Sequence, residues 1–296
     1  MYNIHYLNKI SPKGTELWTE DYQTTDSLAD ADGILVRSAS MHDMELHENL
    51  LAVARAGAGV NNIPLTTCAD QGIVVFNTPG ANANSVMELA LCGMFLASRD
   101  IVGGINWVQS IKGSSEIGRL VEKGKSQFSG HEIYGKKLGI IGLGAIGVLV
   151  ANAAVALGMD VYGYDPYLSV DTALRLDRHV HVVKDIKELY KKADYITVHV
   201  HFTDATRHMI NAEAISQMKR GVRFINLARG EIVDDDAMIA ALDTGWVAAY
   251  VTDFPNNKIV KAPHVIAMPH LGASTPESEQ NCAVMAAREL QDYLEH

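Results

Sequence analysis

Cysteine is scarce, with only Cys68, Cys92 and Cys282 among 296 residues. They are scattered, odd in number and form no C-x-x-C pair, which argues against a disulfide framework or a thiol-redox motif. A reducing, cytoplasmic setting is the expectation. Long apolar runs are missing too, and none approaches the ~20 residues that span a bilayer. Met1–Ile10 lacks a basic stretch followed by an apolar core, so a secretory signal is not expected there. Positive charge is in deficit: 25 Lys and Arg stand against 35 Asp and Glu, a net charge of −10. Such a surface repels nucleic acid and anionic membranes, and neither is an expected partner. An anionic ligand then needs a local cationic pocket, so individual arginines become informative.

The chain is otherwise ordinary in composition, with 48% apolar and 20% charged residues. Its length suits two compact domains. Short β-rich runs alternate with longer helical stretches. Strands are expected at Asn3–Leu7, Gly33–Arg37, Leu51–Ala56 and Ile73–Phe76, each followed by polar or Gly/Pro punctuation. One long helix is expected from about Asn84 to Ile111. The polar, glycine-punctuated stretch Lys112–Lys137 reads as a connecting arm. A second series follows, with strands at Leu138–Gly142, Asp160–Tyr164, Tyr195–Val200, Arg223–Asn226, Ala248–Thr252 and Val265–Met268. A final helix is expected over Pro276–Leu294. Alternating β and α units imply α/β architecture, with parallel sheets covered by helices on both faces.

The sharpest local signal is Gly142-Leu143-Gly144-Ala145-Ile146-Gly147. A bare match to this spacing is weak, but a buried strand leads in, a helical run leads out, and the next strand ends at Asp165, eighteen residues beyond Gly147. Gly142 permits the tight turn, Gly144 lets backbone approach a pyrophosphate, and Gly147 lets helix pack near strand. The helix N-terminus offers free N–H groups to phosphates. Asp165 suits ribose hydroxyls and would repel a 2′-phosphate, which points to NAD over NADP.

Three other segments end strands: Asn226-Leu227-Ala228-Arg229-Gly230, Val251-Thr252-Asp253-Phe254-Pro255 and Pro269-His270-Leu271-Gly272-Ala273-Ser274-Thr275. Open α/β sheets bind ligands outside the carboxyl ends of their strands, so these segments are candidates for the reacting groups. Together with Val36-Arg37-Ser38, the run Ala56–Ile63 and Asn77-Thr78-Pro79-Gly80-Ala81-Asn82, they resemble the D-isomer-specific 2-hydroxyacid dehydrogenases. Within that family the chain is most similar to the phosphoglycerate dehydrogenases.

The resemblance implies two doubly wound parallel-sheet domains. One is a flavodoxin-like substrate domain of residues 1–98 and 275–296, the other a Rossmann NAD-binding domain of residues 99–274. It implies that Arg229 holds the substrate carboxylate and that His270 takes the hydroxyl proton as a hydride leaves for nicotinamide. Ala58, Gly59 and Val60 would cradle the carboxylate, with Ser38 and Asn82 among the substrate-binding residues. Arg37 would face a substrate phosphate; a solvated arginine is the alternative reading. Asp253 would contact the nicotinamide carboxamide. Ala145, Ile146, Leu227, Ala228, Gly272 and Ala273 would line the cofactor.

The implied reaction is NAD-dependent oxidation of 3-phosphoglycerate, the opening step of serine synthesis. Another small 2-hydroxy acid (glycerate, glyoxylate or lactate) and a non-catalytic NAD-binding regulator are the alternatives. A homodimer or higher oligomer is implied, with contacts through the long helix and the arm. No metal is expected. His199 and His201 share one strand face, but no Cys or carboxylate completes a site nearby. They read as sheet-edge or cofactor-proximal residues, and His179 and His181 as equally ordinary.

One departure stands out. Relatives carry a glutamate a few residues after the aspartate matching Asp253, and it pairs with the histidine. Here that slot falls on Asn257 or Lys258, and neither favours the imidazolium as a carboxylate does. Carbonyl reduction, which consumes the protonated ring, is therefore expected to weaken as pH rises.

Overall fold

A computed structural model describes all residues, 1–296, in two compact units: Met1–Ser85 with Ala273–His296, and Val86–Gly272. The apolar β-branched runs form parallel strands in both, and each strand sends alternate side chains to opposite faces.

In the first unit the strands are β1 (Tyr2–Tyr6), β2 (Tyr22–Thr24), β3 (Gly33–Val36), β4 (Ala52–Arg55) and β5 (Val74–Phe76). They pair in parallel in the order β2-β1-β3-β4-β5, the flavodoxin-like arrangement. Ile34, Val36 and Val53 enter one core with Ile63 and Cys68. Leu35, Ala52 and Ala54 enter the other. That second face is covered by the Pro276–Glu295 helix, whose Cys282, Ala286, Leu290 and Leu294 recur every four residues along one stripe. The helix starts at Thr275, whose side chain accepts from Ser278 N, with Pro276 in the first turn.

The second unit holds β6 (Lys137–Ile141), β7 (Asp160–Tyr164), β8 (His181–Val182), β9 (Tyr195–Val198), β10 (Val222–Asn226), β11 (Val247–Thr252) and β12 (Val265–Ala267). The order is β12-β11-β10-β9-β6-β7-β8, all parallel, which is the Rossmann order extended by one strand. Connection reverses between β6 and β9, and such a switch point is where ligands bind. Ile141, Ile196, Val198, Phe224 and Tyr250 build the core on one face, and Leu138, Ile140, Tyr195, Ile225 and Val251 on the other.

Several expectations need correction. The expected helix Asn84–Ile111 is two helices, Ala83–Ser98 and Ile101–Ser110. Asp100 breaks it by turning its side chain to accept from Gly103 N, capping the second helix, so Gly103 and Gly104 lie inside a helix rather than ending one. The arm is not irregular. Ile117–Gly124 is helical and Lys125–Phe128 a 3₁₀ turn, held by Trp107 against Phe128 with ring centroids 5.4 Å apart. Strands β2 and β8, of three and two residues, are too short to show a period. The boundaries lie at Ser85/Val86 and Gly272/Ala273 instead of 98/99 and 274/275. The body of the Ala83–Ser98 helix explains this, since Val86, Ala90, Met94 and Ala97 pack with Leu138 and Ile140 of the second unit. No helix is long and apolar enough to cross a membrane.

Candidate functional site

The glycine turn sits at the switch point. Gly142 follows β6 with φ +93°, a conformation that side chains avoid, and donates to Tyr164 O at 2.8 Å. A Cβ there would fall 2.6 Å from His199 O at the end of β9. At Gly147 a Cβ would lie 2.0 Å from Gly142 O, so the helix Ala145–Ala156 can approach β6 only with glycine. Gly144 differs, with nothing within 4 Å of its added Cβ. It stands at the N-cap with no side-chain cap, leaving first-turn N–H groups around Ala145 and Ile146 to an outside acceptor. Asp165 ends the neighbouring strand. Its Oδ2 accepts Leu143 N at 2.9 Å and its Oδ1 accepts Tyr167 N at 2.8 Å, so it also braces the turn, which the motif alone does not reveal. Open space at Gly144, an uncapped helix start and an adjacent carboxylate fit a dinucleotide.

His199 sits against this turn. Its Nε2 meets Thr197 Oγ1 at 2.9 Å, while Nδ1 is shielded from solvent without a partner. Burial pulls its pKa from 6.5 down to about 4. The folded state therefore resists a proton that the unfolded chain accepts. Stability from this residue is complete above about 6.5 and is lost as pH falls toward 4, by about 3 kcal/mol at most. Denaturant titrations across that range should show the loss, and His199→Gln should flatten it. His201 is exposed. His179 pairs with Asp177 at 2.7 Å and His181 with Asp160 at 3.3 Å, both on the surface.

Arg229 and His270 lie against the same aromatic ring. The Arg229 guanidinium is 5.7 Å from the Phe254 centroid, and the His270 ring is 4.7 Å from it at 46°. Asn226, fully buried at the end of β10, shapes the first loop: its Nδ2 donates to Arg229 O and its Oδ1 accepts Ala228 N. Arg229 Nη1 donates to Ala228 O at 2.7 Å. His270 adopts φ +43° after β12, and its N–H donates to Asp253 O at 2.9 Å. Asp253 is 1% exposed. Its Oδ2 accepts Gly272 N at 3.0 Å, and Oδ1 is buried without a partner. Burial pushes its carboxyl up, against the Gly272 N–H and the charges of His270 and Arg229. An orphan acceptor of this kind suits an amide donor such as the nicotinamide carboxamide.

The two candidates for the glutamate slot lie on one surface loop. Lys258 Nζ is bound to both oxygens of Asp236 at 2.9 Å, so its ammonium is committed there. Asn256, rather than a carboxylate, organises the loop by accepting from Lys258 N and Ile259 N. Asn257 is exposed. The imidazole of His270 has an aromatic neighbour, Phe254.

The remaining residues lie in the first unit. Asn8 Oδ1 accepts the N–H groups of Arg37, Ser38 and Ala39, each at 3.0 Å, a brace that no sequence motif signals. Arg37 Nη2 pairs with Glu279 Oε1 at 2.8 Å on the surface. Arg55 was also missed. It ends β4, where a charge on an apolar strand was the available sign, and its guanidinium binds Arg37 O and Gly59 O under the Ala58–Val60 loop. Asn77 Nδ2 donates to Ala58 O at 2.6 Å. Asn82 Oδ1 and Thr78 Oγ1 are buried without partners. Ala273 falls in this unit, next to Gly272 of the other.

Comparison with known proteins bears on the family. The profile of the D-isomer specific 2-hydroxyacid dehydrogenase NAD binding domain matches residues 92–272. D-3-phosphoglycerate dehydrogenase of Methanocaldococcus jannaschii is 37% identical over 278 residues, covering 91% of this chain and 51% of that protein. Hydroxypyruvate reductase of Thermotoga maritima is 34% identical, covering 96% of this chain and 95% of that protein. The chain thus spans about half the length of the Methanocaldococcus enzyme and nearly all of the reductase. The solved NAD+-bound 3-phosphoglycerate dehydrogenase of Entamoeba histolytica is 26% identical with a TM-score of 0.79, covering 100% of this chain and 96% of that one. With its second unit matching their NAD binding domain, the chain belongs to the D-isomer specific 2-hydroxyacid dehydrogenases.

Proposed function

We propose that the protein oxidises D-3-phosphoglycerate to 3-phosphohydroxypyruvate, the opening step of serine synthesis, with NAD held at Gly142, Gly144, Gly147, Asp165 and Asp253. The observation that carries the reading is the convergence of Arg229 and His270 on one ring beside the orphan Asp253 oxygen. NAD, when bound, supplies the hydride acceptor. Arg229 offers its remaining N–H fork to the substrate carboxylate and to the carbonyl oxygen that develops. A ring nitrogen of His270, in its neutral form, accepts the hydroxyl proton as the C–H bond breaks, and carries it to solvent afterwards. In the reverse direction the imidazolium returns that proton. Ala58, Gly59 and Val60, stiffened by Arg55 and Asn77, supply backbone groups to the acid, with Ser38 and Asn82 as further polar contacts.

A second reading, an unphosphorylated acid such as glycerate, is favoured by one fact: Arg37 already has Glu279 as its partner. The two separate in a turnover panel of 3-phosphoglycerate, glycerate and lactate with NAD, run beside Glu279→Gln. We expect 3-phosphoglycerate to lead, and the variant to extend its lead by lowering KM. Glycerate leading in both proteins would establish the second reading. NAD binding without turnover on any acid would mark a regulator instead.

A homodimer belongs to the same proposal. The Ile101–Ser110 helix is apolar but buries no residue, and Ile105 is 56% exposed. Such a face needs a cover, and a second copy is the one the family resemblance implies. Light scattering should find a dimer for the parent chain and a monomer for Ile105→Glu. The buried thiols of Cys68 and Cys282, and the exposed one of Cys92, fit a reducing cytoplasm.

A further inference from the structure

The second unit carries a cationic cavity at the amino-terminal ends of its strands, on the edge opposite the glycine turn. The residues preceding β6, β9 and β10 line it, and it encloses about 120 Å³. Five residues of β6 separate this edge from Gly142, about 15 Å at the usual rise per strand residue. Lys136, Lys219, Arg220 and Arg223 converge there with His131, against a single carboxylate, Asp194. The chain as a whole has net charge −10, so a local excess of three positive charges runs against its overall balance.

The hydrogen bonds show which charges are spent. Both oxygens of Asp194 are engaged: Oδ2 accepts Lys137 N and Oδ1 accepts Lys219 Nζ. Its carboxyl stays low because Lys219 and the Lys137 N–H outweigh its burial. Arg223 is half-buried, with Nε donating to Ala97 O at 2.8 Å and its guanidinium 5.4 Å from the Tyr195 ring. That anchorage uses one of five donors and leaves both Nη groups to the cavity. Arg220 spends one Nη on Thr244 O and rests over Trp246. Lys136 makes no ion pair. Two anchored guanidinium forks and a free ammonium around a space of about four water volumes match a tetrahedral oxyanion or a pair of them.

We propose that this cavity is a second anion site, separate from the dinucleotide turn, which binds a phosphate or pyrophosphate group through Arg223, Lys136 and Arg220. Lys136 and Arg223 are part-buried beside the exposed Lys219 and Arg220, and a bound anion relieves the repulsion among these like charges while satisfying the idle Nη donors. Phosphorylated small molecules are the ligand class.

The test is a pyrophosphate titration of the full chain, followed by calorimetry and by thermal midpoint, with inorganic phosphate in parallel and sodium chloride matched for ionic strength. Because the glycine turn also attracts phosphates, the titration is repeated in Gly144→Val. The expected result is pyrophosphate binding that survives Gly144→Val, with phosphate binding more weakly. Arg223→Gln and Lys136→Gln should each weaken it about tenfold or more, with NAD affinity unchanged. Lys136→Gln alters an accessible side chain and keeps the test valid if Arg223→Gln fails to fold. Binding that disappears with Gly144→Val, that ignores both cavity variants, or that chloride reproduces would overturn the proposal.

Discussion

His270→Asn should lower kcat by about 10²- to 10⁴-fold, the usual contribution of a general base, with NAD affinity nearly unchanged. Asparagine is the informative replacement because His270 holds φ +43°, a region asparagine tolerates better than most residues. The backbone bond to Asp253 O survives the change, and the Asp253 carboxylate stays held by Gly272 N. What is lost is the ring nitrogen proposed to take the proton. The pH profile provides the check, since an acid limb set by the imidazole should vanish with it. Full turnover by His270→Asn on 3-phosphoglycerate and glycerate alike would remove His270 from the reaction. Phe254→Leu should act differently, shifting KM and kcat together by a modest factor, because that ring orients both Arg229 and His270 without touching a proton.

The second large effect is a contrast between two glycines three residues apart. Gly147→Ala places a methyl 2.0 Å from Gly142 O and 3.0 Å from Gly142 C, backbone that no side-chain rotation can move aside. Overpacking of that sort costs about 3 kcal/mol, so the thermal midpoint should fall by roughly 5–10 °C, even without cofactor. Gly144→Ala meets open space and an ordinary φ of −73°, so the unliganded protein should melt within a degree or two of the parent. NAD affinity should nevertheless drop at least tenfold, because the methyl occupies the space the pyrophosphate needs. Equal stability losses in the two variants would contradict the different surroundings of these glycines. An intact NAD affinity in Gly144→Ala would place the dinucleotide elsewhere.

Much of this molecule was legible in order along the chain. The strands that carry the turn and the strand-end groups were readable because a buried parallel strand is a mostly apolar run, as Leu138–Ile141 of β6 and Tyr195–Val198 of β9 are. The glycine spacing was readable because each glycine answers a local demand: a left-handed φ at Gly142, contact with backbone at Gly147. Short elements failed the same reading. β2 and β8 hold too few residues to show a period, and the break at Asp100 depends on whether its side chain caps a helix or faces water.

Residue order alone was enough for the α/β class, the dinucleotide turn, and Arg229 and His270 as strand-end groups, since each is encoded within about ten neighbouring positions. Packing decided the rest. Phe254 as the ring shared by guanidinium and imidazole, Asp253 with one oxygen unmet, Lys258 drawn away to Asp236, Asn8 and Arg55 bracing one loop from two strands, and the cation cluster around Asp194 all join residues distant in the chain. Pairing of that kind is settled by which faces of two sheets find apolar cover, a property of the whole fold that no local window contains.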